Sequence, residues 1–240
     1  MTKRKSVAVG MPCSRMVRAQ FFIELLAWVS EERYFVPTPK PDATAGRIDL
    51  SRSQLFEWAQ KLKPDAHVQI DTDIKFLQPM YEMMELVFED FELGYDIVIG
   101  PTAAYNARSM TWGFQSKPHP YGPNKIVHGA FGFAAFSPRI LQGLKPLTTI
   151  TNVNHETFNL YCLSTDQTED NSFCDNATRQ GFKVCCDFRL HVGHVKETVL
   201  APCLPGQEEE VKERYKGQAQ FIVQDIQLMP SQSAPAVAAK

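Results

Sequence analysis

The sequence has no GxxxxGK[ST] and no long glycine-rich phosphate loop, so P-loop phosphoryl transfer has no support in it. It has no CxxC. Its six cysteines, Cys13, Cys162, Cys174, Cys185, Cys186 and Cys203, follow no disulfide framework, and a chain of 240 residues does not need stapling, so they read as reduced thiols. An excess of one charge is also missing. With 25 basic and 27 acidic residues the net charge is −2, so no strong field advertises a polyanionic partner. No internal repeat is present. Long apolar runs are absent too: Met1-Thr2-Lys3-Arg4-Lys5 resembles a signal n-region, but Val7 to Val9 is too short to follow it. Phe21 to Val29, interrupted by Glu24, is about half a membrane span. These features lead us to expect no export and no anchor, and a cytoplasmic protein.

Hydrophobic residues make up 44% of the chain, enough for one substantial core. Ser6 to Gly10 reads as a strand, Met16 to Ser30 as a helix, and Arg33 to Val36 as a second strand. A helix follows from Asp49 through Lys63, with Leu55, Phe56, Trp58, Ala59 and Leu62 as its buried stripe. His67 to Ile70 is a third strand, stopping on Asp71. Pro79 to Glu92 is amphipathic, with Met80, Met83, Met84, Val87 and Phe91 inward. Asp96 to Gly100 is another strand. Alternating strands and helices predict an α/β fold, a Rossmann-like, mostly parallel sheet flanked by helices in a single domain. Beyond residue 100 loops dominate, with a strand at Gly129 to Phe136, a short helix at Pro138 to Leu144, a helix at Glu169 to Gln180, and extended runs at Phe182 to Asp187 and Leu190 to Val195. The domain is expected over 1–205, with 1–100 the nucleotide-binding half and 101–205 the catalytic half. Residues 206–240 read as a partly disordered extension.

Asp71-Thr72-Asp73 follows an apolar strand at the end where open α/β sheets place their ligands. Two carboxylates spaced i, i+2 can share one divalent cation and its bound phosphates. Glu169 and Asp170 open a helix, where carboxylates also serve as dipole-complementing residues. His194 lies in an extended run beside apolar neighbours.

The stretches HVQIDTDIKF (67–76), GAFGFAAFSPRIL (129–141) and TEDNSFCDNATRQGFKVCCDFRLHVGHVK (168–196) together resemble the GT-A glycosyltransferases, especially small soluble bacterial and viral members. That family orders a strand ending in DxD, a glycine-containing strand, the pattern ED-x-x-F-C-x-x-x-x-x-x-G-F and a metal-binding His in this way. The likeness spans roughly residues 6–197. It implies that Asp73 coordinates the metal, that Asp71 binds metal or ribose, and that His194 completes a Mn²⁺ or Mg²⁺ site. It gives Asp170 the general-base role, with Glu169 beside it. Met11, Pro12 and Cys13 would lie along the nucleotide base, and Arg52 and Thr72 would join the donor site. Gly129 and Gly132 would open the backbone to the sugar. Ser53 departs from the asparagine usual after that arginine.

The expected reaction is therefore transfer from a nucleotide sugar, UDP-linked, to a hydroxyl, with inversion. The acceptor side would include Trp112 and Tyr121, and the acceptor itself is read as a hydroxymethylpyrimidine in viral-type DNA. A glycan, a protein or a small molecule is the alternative. A non-enzymatic reading also stays open: an α/β module binding nucleotide or metal, in which Asp71, Asp73 and His194 are structural.

Overall fold

The structure is a computed structural model. It describes residues 4–12, 19–30, 34–36, 40–42, 47–102, 118–146, 148–152, 155–161, 168–195, 199–203, 206–214 and 221–225. Its first half runs β1 (Val7–Pro12), α1 (Ala19–Val29), β2 (Lys40–Asp42), α2 (Ile48–Leu62), β3 (Ala66–Ile70), β4 (Ile74–Phe76), α3 (Met80–Glu92) and β5 (Ile97–Gly100). The second half runs β6 (Pro123–Lys125), β7 (Phe133–Phe136), α4 (Pro138–Gly143), β8 (Thr148–Asn152), β9 (His155–Asn159), α5 (Glu169–Arg179), β10 (Val184–Asp187), β11 (Val192–Val195), β12 (Val199–Cys203), α6 (Glu208–Arg214) and β13 (Phe221–Asp225).

A seven-stranded sheet of order β2-β1-β3-β7-β5-β10-β6 forms the centre, as expected of a Rossmann-like α/β domain. β2, β1, β3, β5 and β10 run in one direction, and β7 and β6 oppose them. Period-two alternation divides the core between the sheet's faces. Ala134 and Phe136 join Phe56, Phe131, Tyr161 and Phe173 on one side, whereas Phe133 and Ala135 join Leu25, Trp28, Met80, Met83 and Met84 on the other. A smaller sheet of order β13-β12-β11-β4 flanks this one, and β8 pairs only with β9. Within residues 206–240, α6 and β13 are regular elements, and β13 runs parallel to β12.

Local chemistry sets the helix ends. Thr168 caps α5, its hydroxyl accepting from the Asn171 N–H at 3.4 Å, and Glu169 and Asp170 occupy the favourable first turn. Gly181 follows at φ 84, a left-handed value that suits glycine.

Two expectations need correction. The strand beside β1 is β2, not Arg33 to Val36; Arg33 lies outside the described residues, and Phe35 makes only an isolated bridge to Ser6 and is 61% exposed. Pro41 is tolerated in β2 because β2 is an edge strand. In α2, Trp58 is only partly buried and Leu62 reaches the surface, whereas Asp49, Ser51, Arg52 and Ser53 are buried. Of these, Arg52 joins the polar network described below, Asp49 pairs with Arg47, and the Ser53 hydroxyl donates to the Asp49 carbonyl at 2.9 Å.

Phe173 packs its ring between Tyr161 (4.3 Å, stacked) and Phe56, Phe136 and Phe131 (5.5, 5.5 and 5.7 Å). Phe173→Ala should therefore cost about 3–5 kcal/mol, read as a fall in the urea midpoint at unchanged m-value.

Candidate active site

The site forms where β7 is inserted between β3 and β5. Phe133 pairs with both Ile70 and Gly100, so the loop entering β7 crosses the carboxyl edge of the parallel strands. Its main chain binds two carboxylate-bearing segments: the Gly132 carbonyl accepts from the Asp71 N–H at 2.9 Å, and the Phe131 N–H donates to Asp170 Oδ2 at 3.0 Å. A Cβ on Gly132 would lie 2.5 Å from Thr102 Cγ2 and 2.9 Å from Ile74 Cδ1, so the close approach requires glycine.

At the centre lies Arg52, 1% exposed. Its Nη2 donates to Asp71 Oδ1 at 2.9 Å, and its Nε lies 3.4 Å from Asp170 Oδ1 and 3.6 Å from Glu169 Oε1. The last two contacts are Coulombic and poorly directed. Arg52 Nε and Nη1 and Asp170 Oδ1 are buried without a hydrogen-bond partner, the kind of orphan that marks functional sites. Behind the guanidinium, Gln69 Nε2 donates to the Arg52 carbonyl at 3.0 Å, and the Tyr161 hydroxyl donates to Gln69 Oε1 at 3.2 Å. Burial holds His67 down to about 4, so it is neutral, and its Nδ1 lies 3.0 Å from the Ala8 carbonyl.

The charges shape one another. Burial works against the Arg52 charge, yet Asp71 and Asp170 hold its pKa above the ordinary value. Burial pushes Asp71 up to about 7 against the pull of Arg52; its side chain is 26% exposed, so water offsets part of that push. Burial likewise raises Asp170 to about 6, with Arg52 and the Phe131 N–H opposing and Glu169 reinforcing.

Asp71 and Asp73 bracket a tight turn closed by the Ile74 N–H on the Asp71 carbonyl at 3.1 Å, with Thr72 between them. The antiparallel register of β4 and β11 sets His194 opposite Ile74, and His194 Nε2 lies 2.7 Å from Asp73 Oδ2. The predicted metal trio thus separates into two pairs, Asp73 with His194 and Asp71 with Arg52. Among the described residues no three His, Cys, Asp or Glu side chains form a ready cation cage. The Asp73–His194 pair nevertheless fits as two ligands. Donors about 2.1 Å from a cation at neighbouring octahedral positions stand roughly 3 Å apart, close to the separation found.

Met11 and Pro12 are buried at the carboxyl end of β1. Gly129 is buried in the loop before β7. Cys13 and Trp112 lie outside the described residues. Tyr121 precedes β6 and borders a different pocket, which none of the site carboxylates lines. The sequence reading missed His67, Gln69 and Tyr161; for His67 and Gln69 the signal available was polar residues alternating inside an otherwise apolar strand. Arg52 was placed at the donor, but its nearest charged partners are the carboxylates.

No protein-family model matches the sequence, and no curated protein does. Among solved structures, A197 from STIV superposes with a TM-score of 0.56 at 16% identity, over 82% of this chain and 90% of that one. This likeness is one of fold. A CMP:2-keto-3-deoxy-manno-octonic acid synthetase complexed with CTP overlaps at TM-score 0.45, with 8% identity over 76% of this chain and 88% of that one. A protein assigned as a nucleotide-diphospho-sugar transferase from Desulfovibrio desulfuricans G20 gives 0.40, with 11% identity over 77% and 80%. No helix among the described residues is long and apolar enough to cross a membrane.

Arg52→Gln should leave Asp71, Asp170 and Glu169 without their cation and destabilise the fold by about 3–5 kcal/mol at neutral pH. Losing the cation raises the folded-state pKa of these acids further above the unfolded value, so the folded variant binds the extra protons. The penalty should shrink as pH falls from 8 to 5, read by urea melts of both proteins.

Proposed function

We propose that this protein is a glycosyltransferase, moving a sugar from a nucleotide-sugar donor, UDP-linked, to a hydroxyl acceptor with Asp170 as general base. The carrying observation is the Arg52 cluster, which gathers Asp71, Glu169 and Asp170 beside the Asp73–His194 pair at the sheet's carboxyl edge. Asp170 is fixed through one oxygen by the Phe131 N–H, while its other oxygen accepts no hydrogen bond. With its pKa raised to about 6, it is ionised at neutral pH and still basic enough to take a proton.

In this reading the acceptor oxygen attacks the anomeric carbon as Asp170 takes its proton. The bond to the diphosphate oxygen breaks in the same step, which inverts the configuration. Asp73 and His194 would hold Mn²⁺ or Mg²⁺, with Asp71 adjoining the metal or the ribose; a bound cation supplies charge neutralisation for the diphosphate leaving group. Met11, Pro12 and Cys13 would border the base, and Thr72, Gly129 and Gly132 the sugar. Arg52 acts here as a positioning residue that sets the carboxylates' orientation and charge.

Mass spectrometry of donor hydrolysis and of transfer, with a panel of nucleotide sugars and Mn²⁺, tests the reading. The acceptor arms are a hydroxymethylated duplex, glycans and peptides. A protein showing neither hydrolysis nor calorimetric heat with UDP and Mn²⁺ would be the non-enzymatic module instead.

Two outcomes follow for variants. Asp170→Asn should retain Mn²⁺-dependent donor binding but lose about 10²–10⁴ in rate; an equal loss of donor affinity would move Asp170 into the donor pocket. Because only ionised Asp170 accepts a proton, kcat/KM should rise from pH 5 to 7.5, with its acid limb centred near 6 and not in the ordinary carboxylate range. Asp73→Asn should abolish metal-stimulated turnover while circular dichroism stays unchanged, since this carboxylate is 32% exposed and contributes little to the core.

A further inference from the structure

A second concavity, about 180 Å³, opens between the turn before β11, helix α6 and the loop leading to β6. At liquid density that is room for roughly six waters, the space of one small ring. One wall is aromatic and apolar: Tyr121, 65% exposed, stands beside Pro120 and Phe188. The loop presenting it is tied down. Asn124, 7% exposed, receives the His119 N–H at 2.5 Å and donates to the His119 and Gly122 carbonyls at 2.8 and 3.0 Å. His119 packs edge-on against the Tyr121 ring at 5.7 Å.

The opposite wall is polar and carries no surplus charge. Arg214 is paired with Glu210 at 2.7 Å, and Arg189 with Asp187, Asp90 and Glu89 at 2.8, 3.1 and 3.1 Å. His191 receives an Arg214 N–H at 2.7 Å; burial and then the Arg214 charge hold it down to about 4, so it is neutral. Gln207 completes the wall. Cations matched in this way offer hydrogen bonds without the unopposed positive field that a phosphate backbone demands. An exposed ring facing planar amide, carboxylate and guanidinium groups suits a neutral, polyhydroxylated ring, whose C–H face stacks and whose hydroxyls need paired donors and acceptors.

Position adds a length. His191 immediately precedes β11, and its backbone lies three residues, roughly 10 Å at the usual strand rise, from that of His194. That distance is longer than one sugar ring. We infer that this pocket is an acceptor subsite holding a neutral sugar unit remote from the reacting hydroxyl, so the acceptor is an oligosaccharide and not duplex DNA. The inference rests on the transferase reading above.

The test is binding of the wild-type protein, without donor, to an array of neutral di- to tetrasaccharides and to a hydroxymethylated duplex. Saturation-transfer NMR on the array hits follows. At least one oligosaccharide should bind, Tyr121→Ala should weaken it about tenfold or more, and Tyr121→Trp should restore it. Arg214→Ala should also weaken it, with circular dichroism checking the fold of each variant. Binding to the duplex alone, to no glycan, or with no dependence on Tyr121 and Arg214 would overturn the subsite. Donor hydrolysis by the wild-type protein is followed separately. Hydrolysis without glycan binding defeats the subsite alone, and glycan binding without hydrolysis defeats the transferase reading while the pocket's ligand class stands.

Discussion

A single buried cation constrains the rest of the site. The Arg52 guanidinium faces Asp71, Glu169 and Asp170, contributed by α2, the end of β3 and the start of α5. Burying it requires every one of those elements at its observed position, because an arginine removed from water without its carboxylates costs far more than the fold can spare. Three carboxylates around one guanidinium are nevertheless under-neutralised. Burial, with a smaller push from the neighbouring acids, raises Asp71 and Asp170, and Asp170 Oδ1 is left without a hydrogen-bond partner. A group that brought positive charge or a proton to this edge would relieve that deficit. In the proposed reaction an acceptor hydroxyl would bring the proton and a metal the charge.

The antiparallel strand β7 makes this arrangement geometrically available. In an all-parallel sheet, connections leave the carboxyl edge and return through a helix. Here the chain enters β7 at that edge, between Ile70 and Gly100, and lays residues 129–132 across the strand ends. Main-chain groups of Phe131 and Gly132 then fix Asp170 and the Asp71 backbone. Backbone contacts hold their geometry better than long side chains do, so the two acids are set relative to each other with little freedom. Gly132 is where this geometry leaves no room for a side chain, with Thr102 and Ile74 pressed against it.

Much of this was legible in the sequence where a local pattern sufficed. Asp71 and Asp73 stood out because an apolar strand ends on them, and Glu169 and Asp170 because Thr168 and the helical spacing mark a helix start. The nearness of His194 to Asp73 was expected from the family resemblance alone, not from any local pattern. Their pairing spans 121 positions and depends on the register of β11 against β4, which no local pattern encodes. Arg52 shows a different limit. A helix is read by assuming that polar residues face water, and the first turns of α2 violate that assumption by burying Asp49, Ser51, Arg52 and Ser53. His67 and Gln69 escaped for the same reason: they alternate with apolar residues in β3, a pattern that reads as a solvent-facing side, yet the strand is wholly buried.

Strand β11 joins the two regions. Its end places His194 on Asp73, and its beginning forms a wall of the second pocket, so whatever fixes its approach fixes both. That approach is a turn folded about Asp187, whose carbonyl accepts the Leu190 N–H at 3.2 Å and whose carboxylate accepts the Arg189 N–H at 2.9 Å. Arg189 ties the turn to α3 through Asp90, which is wholly buried. Burial, then the charge of Asp187, pushes Asp90 well above the usual carboxylate range, so it carries a proton and bonds to its neighbouring acid instead of repelling it. Arg189 thus clasps two buried acids from different elements, Asp90 of α3 and Asp187 at the end of β10, in one joint. Perturbing it would move the start of β11, and with it the pocket wall, before it disturbed His194, whose place is secured independently by the Val195 N–H on the Asp73 carbonyl at 2.6 Å. The two regions therefore share a strand but are anchored by separate contacts, so the wall of the second pocket could vary without dismantling the Asp73–His194 pair.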